Sequence, residues 1–394
     1  MKLILDITRM LGTLITGRYS GTGVDRVLLA YMKYYKESAR AFVRYPGINC
    51  IYSQKASNFL FDYLLHCAEH SSTIKQSIIT KFMLFQRKHQ DLDGSIFLHI
   101  DQYPHNFNLF HHLNIPIVSM VHDLIPLYYA EYSDTKKINR HVQYLHNSMQ
   151  SAGIITNSKN TLDNLCSYYL GMQKQIPPTI AAPLASGLPL NISPEARFIH
   201  EPYFVVISTI EGRKNHIALL HIWRRLVERF SIRAPKLVIL GKRGWRCGQV
   251  LDLLDHCKQI KPFIIEEPSC PDQKLVTYLY HAQALLFPSF TEGYGLPLIE
   301  ALSYATPVIA SDIPVFREIA GDIPEYIDPL DTLKWMELIE EYSQTHSMMR
   351  VAQLERMKSF KIPTWNNHFE IVDVFLQNIV EQYSMMRICV DPHQ

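Results

Sequence analysis

The chain has 394 residues, 47% of them apolar and 19% charged, with a formal net charge of +2. That length exceeds an ordinary single domain and predicts two, while the composition excludes a disordered chain. No apolar run approaches the roughly eighteen residues of a membrane span. Residues 1–194 carry 18 Lys and Arg against 12 Asp and Glu, and the rest 21 against 25, an imbalance too weak for a nucleic-acid protein.

The opening MKLILDITRML, with Asp6 and Arg9 inside or beside its apolar run, reads as a buried strand and not as a signal peptide. Seven cysteines, scattered and never in C-x-x-C spacing, predict neither a disulfide framework nor a zinc site and fit a reducing cytoplasm. The segment GRYSGTGVDRVLLAYMKYY places Gly21, Thr22, Gly23, Asp25 and Arg26 in a glycine-rich turn before an amphipathic helix over about 24–38. Its continuation to Tyr45, with Arg26, Lys33, Lys36 and Arg40, has two readings: a core-facing helix with a basic outer face, or a peripheral contact with a membrane surface.

Strands are expected at SIFLHI, IPIVSMV and GIITNS, and helices at about 135–150 and 159–169. His122 and Asp123 follow the second of these strands, and a histidine at a strand end suits hydrogen-bonding or proton work. Asp91 and Asp93 form D-L-D before a strand, where a solvated loop is expected. Residues 183–202, which combine prolines and serines with Gly187 and Asn191, read as a linker.

Beyond it come YFVVIST, KLVILG, PFIIEE, ALLFPS and PVIASD as strands, with helices at about 215–229, 248–257, 272–281 and 297–304. Alternation of this kind predicts α/β units with parallel sheets, whose ligands bind at the carboxyl ends of strands. Three strand ends carry candidate chemistry. Thr209, Glu211, Gly212, Arg213 and Lys214 precede a helix expected near Asn215, an arrangement suited to an anion. Lys242 lies in KRGW, whose Gly241 and Gly244 would let a ligand approach the backbone. The loop TEGYG places Glu292, Gly293, Tyr294 and Gly295 before a helix with Pro297 expected at its first position and Glu300 a turn inside it. For Glu300 the helix dipole alone is a competing explanation. The tail after residue 364 is expected to be helical, with Phe369, Val372, Phe375 and Ile379 on one face.

Taken together these segments resemble a retaining glycosyltransferase of family 4, of the GT-B fold and the group-1 glycosyl transferases. The spacing of Glu292 and Glu300 in EGYGLPLIE matches that family's E-x7-E motif, and IEGRKNH, KRGW, ATPVIASDIPVFREI and VHDLIP look similar to other landmarks of it. The resemblance implies an α/β chain of two doubly wound, Rossmann-like domains facing a cleft. These would be an acceptor-side domain at 1–195, a nucleotide-sugar-binding domain at 196–364, and a C-terminal helix at 365–394 packing back toward the first. It implies catalytic roles for His122, Glu292, Arg213 and Lys214. Glu300 would bind ribose, Glu292 the hexose, and Arg213 and Lys214 the diphosphate. Gly293, Tyr294, Gly295, Leu296, Thr209 and Lys242 would complete the donor side, and Gly21, Thr22, Gly23, Asp25 and Asp123 the acceptor side. Some members carry an arginine six residues before the lysine; Ser208 stands there in this chain, leaving Arg213 as the second cation.

The implied reaction moves a hexose from a nucleoside-diphosphate sugar to a glycan or lipid-linked acceptor, as in capsule or O-antigen synthesis. It needs no metal or other cofactor, and the protein would be cytoplasmic or peripheral at the inner membrane face. Epimerisation or phosphorolysis on the same fold, which incubating donor without acceptor would separate, and a non-catalytic sugar-nucleotide-binding subunit, which turnover lost in Glu292→Ala or Lys214→Ala would exclude, are the alternatives.

Overall fold

A computed structural model describes residues 1–16, 21–45, 48–69, 92–105 and 107–390. The chain divides into two compact units: one of residues 1–127, 135–184 and 365–394, the other of 128–134 and 185–364.

The first unit is built on a sheet of β1 (Lys2–Asp6), β2 (Ala39–Tyr45), β3 (Ile48–Ile51), β4 (Ser95–His99), β5 (Ile117–Val121), β6 (Gly153–Thr156) and β7 (Thr179–Ala181). Their spatial order is β3-β2-β1-β4-β5-β6-β7, and every pairing is parallel except that of β2 with β3. β4 and β5 are buried at every position, as strands covered by helices on both faces must be. The tail helix Trp365–Val390 belongs to this unit: Phe369, Val372, Phe375, Leu376 and Ile379 are buried. Phe375 comes so close to Gly153 that a Cβ there would lie 2.6 Å from its ring. His368 Nε2 is 2.9 Å from the Tyr31 hydroxyl, and Tyr35 donates to Asp373 at 2.7 Å.

The second unit has a six-stranded sheet of β8 (Tyr203–Ile207), β9 (Lys236–Leu240), β10 (Ile264–Glu267), β11 (Leu285–Phe287), β12 (Val308–Ser311) and β13 (Glu325–Ile327). Its order is β10-β9-β8-β11-β12-β13, all parallel. Phe204, Val206, Leu220, Trp223, Leu237, Ile239, Leu286 and Ile309 fill a core between this sheet and its helices.

In each sheet the order reverses once, between β1 and β4 and between β8 and β11. A reversal leaves a crevice at the carboxyl ends of the two strands, because the following connections run to opposite faces.

Several expectations need correction. The basic amphipathic stretch is not one helix: the helix is Gly23–Tyr34, and Ala39–Tyr45 is β2, so Arg40 lies on a strand. Val27, Leu28, Tyr31 and Met32 are buried in the core, and Lys36 pairs with Asp62 at 2.7 Å. The strand expected over ALLFPS ends at Phe287, and the helix after the glutamate loop, Leu296–Ser303, has Pro297 at its second position, not its first. Residues 128–134 join the second unit, where Tyr132 stacks on Phe290 and Arg246 donates to the Glu131 carbonyl at 2.6 Å. Asp91 lies outside the described residues. Among the described residues no helix is long and apolar enough to cross a membrane.

Candidate active site

The reversal between β8 and β11 brings together the two segments that sequence spacing singled out. After β8 the chain makes a short 3-10 turn, Gly212–Lys214, and then Asn215 takes a left-handed conformation (φ 57°) before the helix His216–Phe230. Asparagine is among the few residues that visit that conformation routinely, and a long-range bond fixes this one: Asn215 Nδ2 donates to the Pro329 carbonyl at 2.9 Å. Arg213 and Lys214 therefore sit one turn ahead of the helix that was expected to begin at Asn215.

After β11 the loop carries Glu292 back to those cations. Arg213 Nη1 donates to Glu292 Oε2 at 2.9 Å and to the Thr291 carbonyl at 3.1 Å, while Lys214 Nζ donates to Glu292 Oε1. Arg213 Nε also lies 3.3 Å from Glu211 Oε2, and the Phe290 amide donates to the Arg213 carbonyl at 2.9 Å. The Lys214 and Glu292 side chains are only 10% and 8% exposed, so these charges interact with little screening. Burial would raise the Glu292 pKa, but Arg213 and Lys214 outweigh it and hold the carboxyl at about 2. Burial, reinforced by Arg213, lowers the Lys214 pKa against the pull of Glu292.

Gly295 caps the next helix at φ 136°, a backbone state open to glycine alone in practice, and a Cβ there would meet Phe316 at 2.9 Å. Glu300, one turn in, is 4% exposed, and Tyr294 and Leu296 are buried. Thr209 is half-buried at the end of the β8 segment.

The KRGW loop is placed differently from its expected role. Gly241 (φ 155°) and Gly244 make room for the chain's own backbone: a Cβ on Gly241 would lie 2.1 Å from the Ser208 carbonyl oxygen, and one on Gly244 2.7 Å from that of Ile210. The loop continues the β8–β9 pairing, with the Ile210 amide donating to Lys242 and that of Gly244 to Ile210. Arg243 is held by Asp255 and Glu266 at 2.7 and 2.8 Å, whereas the Lys242 side chain is exposed and forms no ion pair among the described residues.

In the first unit His122 follows β5 and is buried. Its Nε2 lies 2.8 Å from the Ile100 carbonyl, which can only accept, so the proton is on Nε2. Burial lowers its pKa, and the ring is neutral near pH 7 with Nδ1 as its lone-pair nitrogen. The His122 carbonyl is fixed by Asn157 at 2.9 Å and its amide by Gln102 at 3.2 Å. Asp123 closes a turn by accepting the Ile125 amide at 3.0 Å.

Gly21, Thr22, Gly23 and Asp25 form a helix start. Thr22 and Asp25 make a reciprocal capping box, in which Asp25 Oδ2 accepts the Thr22 amide at 2.8 Å and its hydroxyl at 2.7 Å. The other carboxylate oxygen of Asp25 takes Arg9 Nη2 at 2.7 Å. The carboxylate is thus committed to holding the helix end, a role the glycine-rich spacing did not reveal.

Sequence reasoning also missed the group at the β1–β4 reversal. Arg9 bridges Asp25 and Asp101, donating to the latter from Nε at 2.9 Å. Asp101 is 2% exposed, and its Oδ2 has no hydrogen-bond partner among the described residues. Burial raises the Asp101 pKa to about 7 against the pull of Arg9. His105 Nε2 lies 3.7 Å from Asp6 Oδ2, and His99 and His105 pack on each other in an aromatic setting of Phe97, Phe107 and Tyr144. Asp6 ends β1 and Asp101 lies just past β4, so the signal was present, but it acquires meaning only when those strands are known to be neighbours.

The architecture is shared with solved enzymes. An α,α-trehalose-phosphate synthase from Burkholderia xenovorans superposes over 98% of this chain and 100% of its own (TM-score 0.62, 11% identity). A sucrose-phosphate synthase from Thermosynechococcus elongatus does so over 96% and 99% (TM-score 0.61, 12% identity). The chain has the GT-B fold of glycosyltransferases. Residues 192–324 match the family model described as glycosyl transferases group 1, and both charged segments lie inside that stretch of the second unit.

Among curated proteins the chain is similar to the serotype-specific mannosyltransferase WbdA of Escherichia coli, 31% identical over 48% of this chain and 23% of that protein. It is 28% identical to the O-antigen chain mannosyltransferase B of Escherichia coli over 66% of this chain and 70% of that one. A third relative, the O-antigen chain mannosyltransferase RfbU of Salmonella typhimurium, is 26% identical over 59% and 64%. The match to the first of these spans less than a quarter of its length.

Proposed function

We propose that the protein is a retaining glycosyltransferase of family 4 that transfers a hexose from a nucleoside-diphosphate sugar to a glycan or lipid-linked acceptor in O-antigen or similar polysaccharide synthesis. The observation that carries this reading is the convergence of Arg213, Lys214 and Glu292 at the β8–β11 reversal, with Glu300 on the helix that follows. The names of the relatives favour mannose as the hexose.

In this reading the diphosphate lies against Arg213 and Lys214, Glu300 accepts the ribose hydroxyls, and Glu292 accepts hydroxyls of the sugar. The anomeric carbon–oxygen bond to the diphosphate breaks, the acceptor oxygen bonds to the same face of that carbon, and the acceptor proton passes to the leaving phosphate. Catalysis then consists of orienting two substrates and stabilising the charge on the leaving group, which two cations and the start of the helix at Leu296 can supply without a metal. His122, with its proton on Nε2 committed to Ile100, offers Nδ1 as an acceptor for a hydroxyl and is not an acid. Thr209, Lys242, Gly293, Tyr294, Gly295 and Leu296 line the donor's side in this proposal, and Asp123 the acceptor's.

A thermal-shift screen against nucleotide sugars tests the reading. A nucleoside-diphosphate mannose should raise the melting temperature, since ligand at a hundred times its Kd contributes about 2.7 kcal/mol. No shift with any sugar nucleotide would refute the reading.

A further inference from the structure

The cations assigned to the diphosphate are already engaged. Arg213 contacts Glu211 and Glu292, and Lys214 contacts Glu292, so two positive and two negative groups form a cluster with no net formal charge. A diphosphate approaching a neutral, largely buried cluster gains little until one carboxylate gives way. Of the two carboxylates Glu292 is the one whose displacement frees both cations, since it contacts Arg213 and Lys214 whereas Glu211 contacts Arg213. Arg213 is anchored by the Thr291 carbonyl as well as Glu211, and the Lys214 ammonium sits 5.6 Å over the Phe287 ring at the end of β11. Glu292, by contrast, lies in the irregular loop before Gly293.

We propose that Glu292 is an internal competitor for the diphosphate position: it yields Arg213 and Lys214 to an intact sugar nucleotide and reclaims them when the sugar has left. The proposal rests on the donor reading above. A carboxylate displaced within a poorly hydrated site needs new hydrogen-bond donors. The hydroxyls of a bound hexose supply them. A nucleoside diphosphate brings the same negative charge and no hexose, so it must displace Glu292 without compensation. Glu292 therefore favours substrate over product and promotes release of the nucleoside diphosphate after transfer. Because its cation partners keep Glu292 ionised down to about pH 2, the competition operates throughout the working range.

The test is calorimetric titration of the full chain with ADP, GDP, UDP and dTDP and with their sugar nucleotides, for wild type and for Glu292→Gln. For the diphosphate that binds wild type, affinity should rise about tenfold in the variant, a change of about 1.4 kcal/mol. Affinity for the matching sugar nucleotide should not rise. Glu211→Gln, which removes a carboxylate touching Arg213 alone, should give a smaller gain. If Glu292→Gln does not fold, Glu292→Asp retains the charge but cannot span both cations, and should give an intermediate gain. Equal or weaker binding of the diphosphate by the Glu292 variant overturns the proposal while leaving the donor reading intact. Failure of every nucleoside diphosphate and sugar nucleotide to bind wild type and variants at millimolar concentration overturns the donor reading and this proposal with it.

Discussion

At the strand reversal of the second sheet one carboxylate, Glu292, is shared by two cations; at that of the first, one guanidinium, Arg9, is shared by two carboxylates. Both clusters draw on residues just past neighbouring parallel strands, the first adding Asp25 from the helix Gly23–Tyr34, and both are largely buried. Their opposite charge ratios have opposite consequences. Paired cations hold Glu292 ionised at about 2, whereas burial and neighbouring acids leave Asp101 to titrate near 7. Similar strand reversals thus hold an ionised carboxylate in one unit and a protonatable carboxyl in the other, and burial together with the ratio of cations to acids decides which.

The largest effect should come from breaking the second cluster. Glu292→Ala leaves Arg213 and Lys214 facing each other with Glu211 as their remaining acid, and removing one partner of a buried ion pair costs about 3–5 kcal/mol. Urea unfolding should show that loss, and donor turnover should disappear under conditions where the variant is folded. A variant as stable as wild type would mean that the pair is effectively solvated.

Cutting the first cluster should cost less, because Arg9 keeps Asp101. Asp25→Ala removes the capping box and one ion pair, and a destabilisation of about 1–3 kcal/mol is expected from lost caps and charged hydrogen bonds. The circular-dichroism melting curve is the readout.

The third contrast is in pH. A carboxyl whose folded pKa is above its ordinary value holds its proton more tightly folded than unfolded, so the stability it contributes is present below the ordinary carboxylate range and lost as pH rises through about 7. Asp101→Asn should flatten that decline between pH 4 and 7 in unfolding measured across the range. Glu292 behaves inversely: its contribution is present above the ordinary carboxylate range and lost as pH falls toward about 2. The smallest effect belongs to Lys242→Ala. An exposed side chain without an ion pair should change unfolding free energy by less than about 0.5 kcal/mol, and a larger change would show that the KRGW loop depends on that charge.

Much of this was readable from spacing, because a buried parallel strand announces itself as an apolar run and the E-x7-E pair carries its own register. The central strands of both sheets and the positions of Arg213, Lys214, Glu292 and Glu300 follow from that. Strands at or next to a sheet edge did not: β2, between β1 and the edge strand β3, is interrupted by Arg40 and Arg44, and the edge strand β13 is three residues long. Nor did the function of glycines in KRGW, since a glycine needed for close approach looks the same whether the neighbour is a ligand or the Ser208 carbonyl. Arg9 and Asp101 lie 92 residues apart and become partners only through strand order, which local pattern does not encode.

The central claim, that the second unit holds a nucleoside-diphosphate sugar at the β8–β11 reversal, is tested most directly by hydrogen–deuterium exchange with and without the stabilising sugar nucleotide. Slowed exchange in peptides covering 209–216 and 290–300, and its loss in Lys214→Ala, is the predicted result. Unchanged exchange in both segments, with the ligand bound, would contradict it.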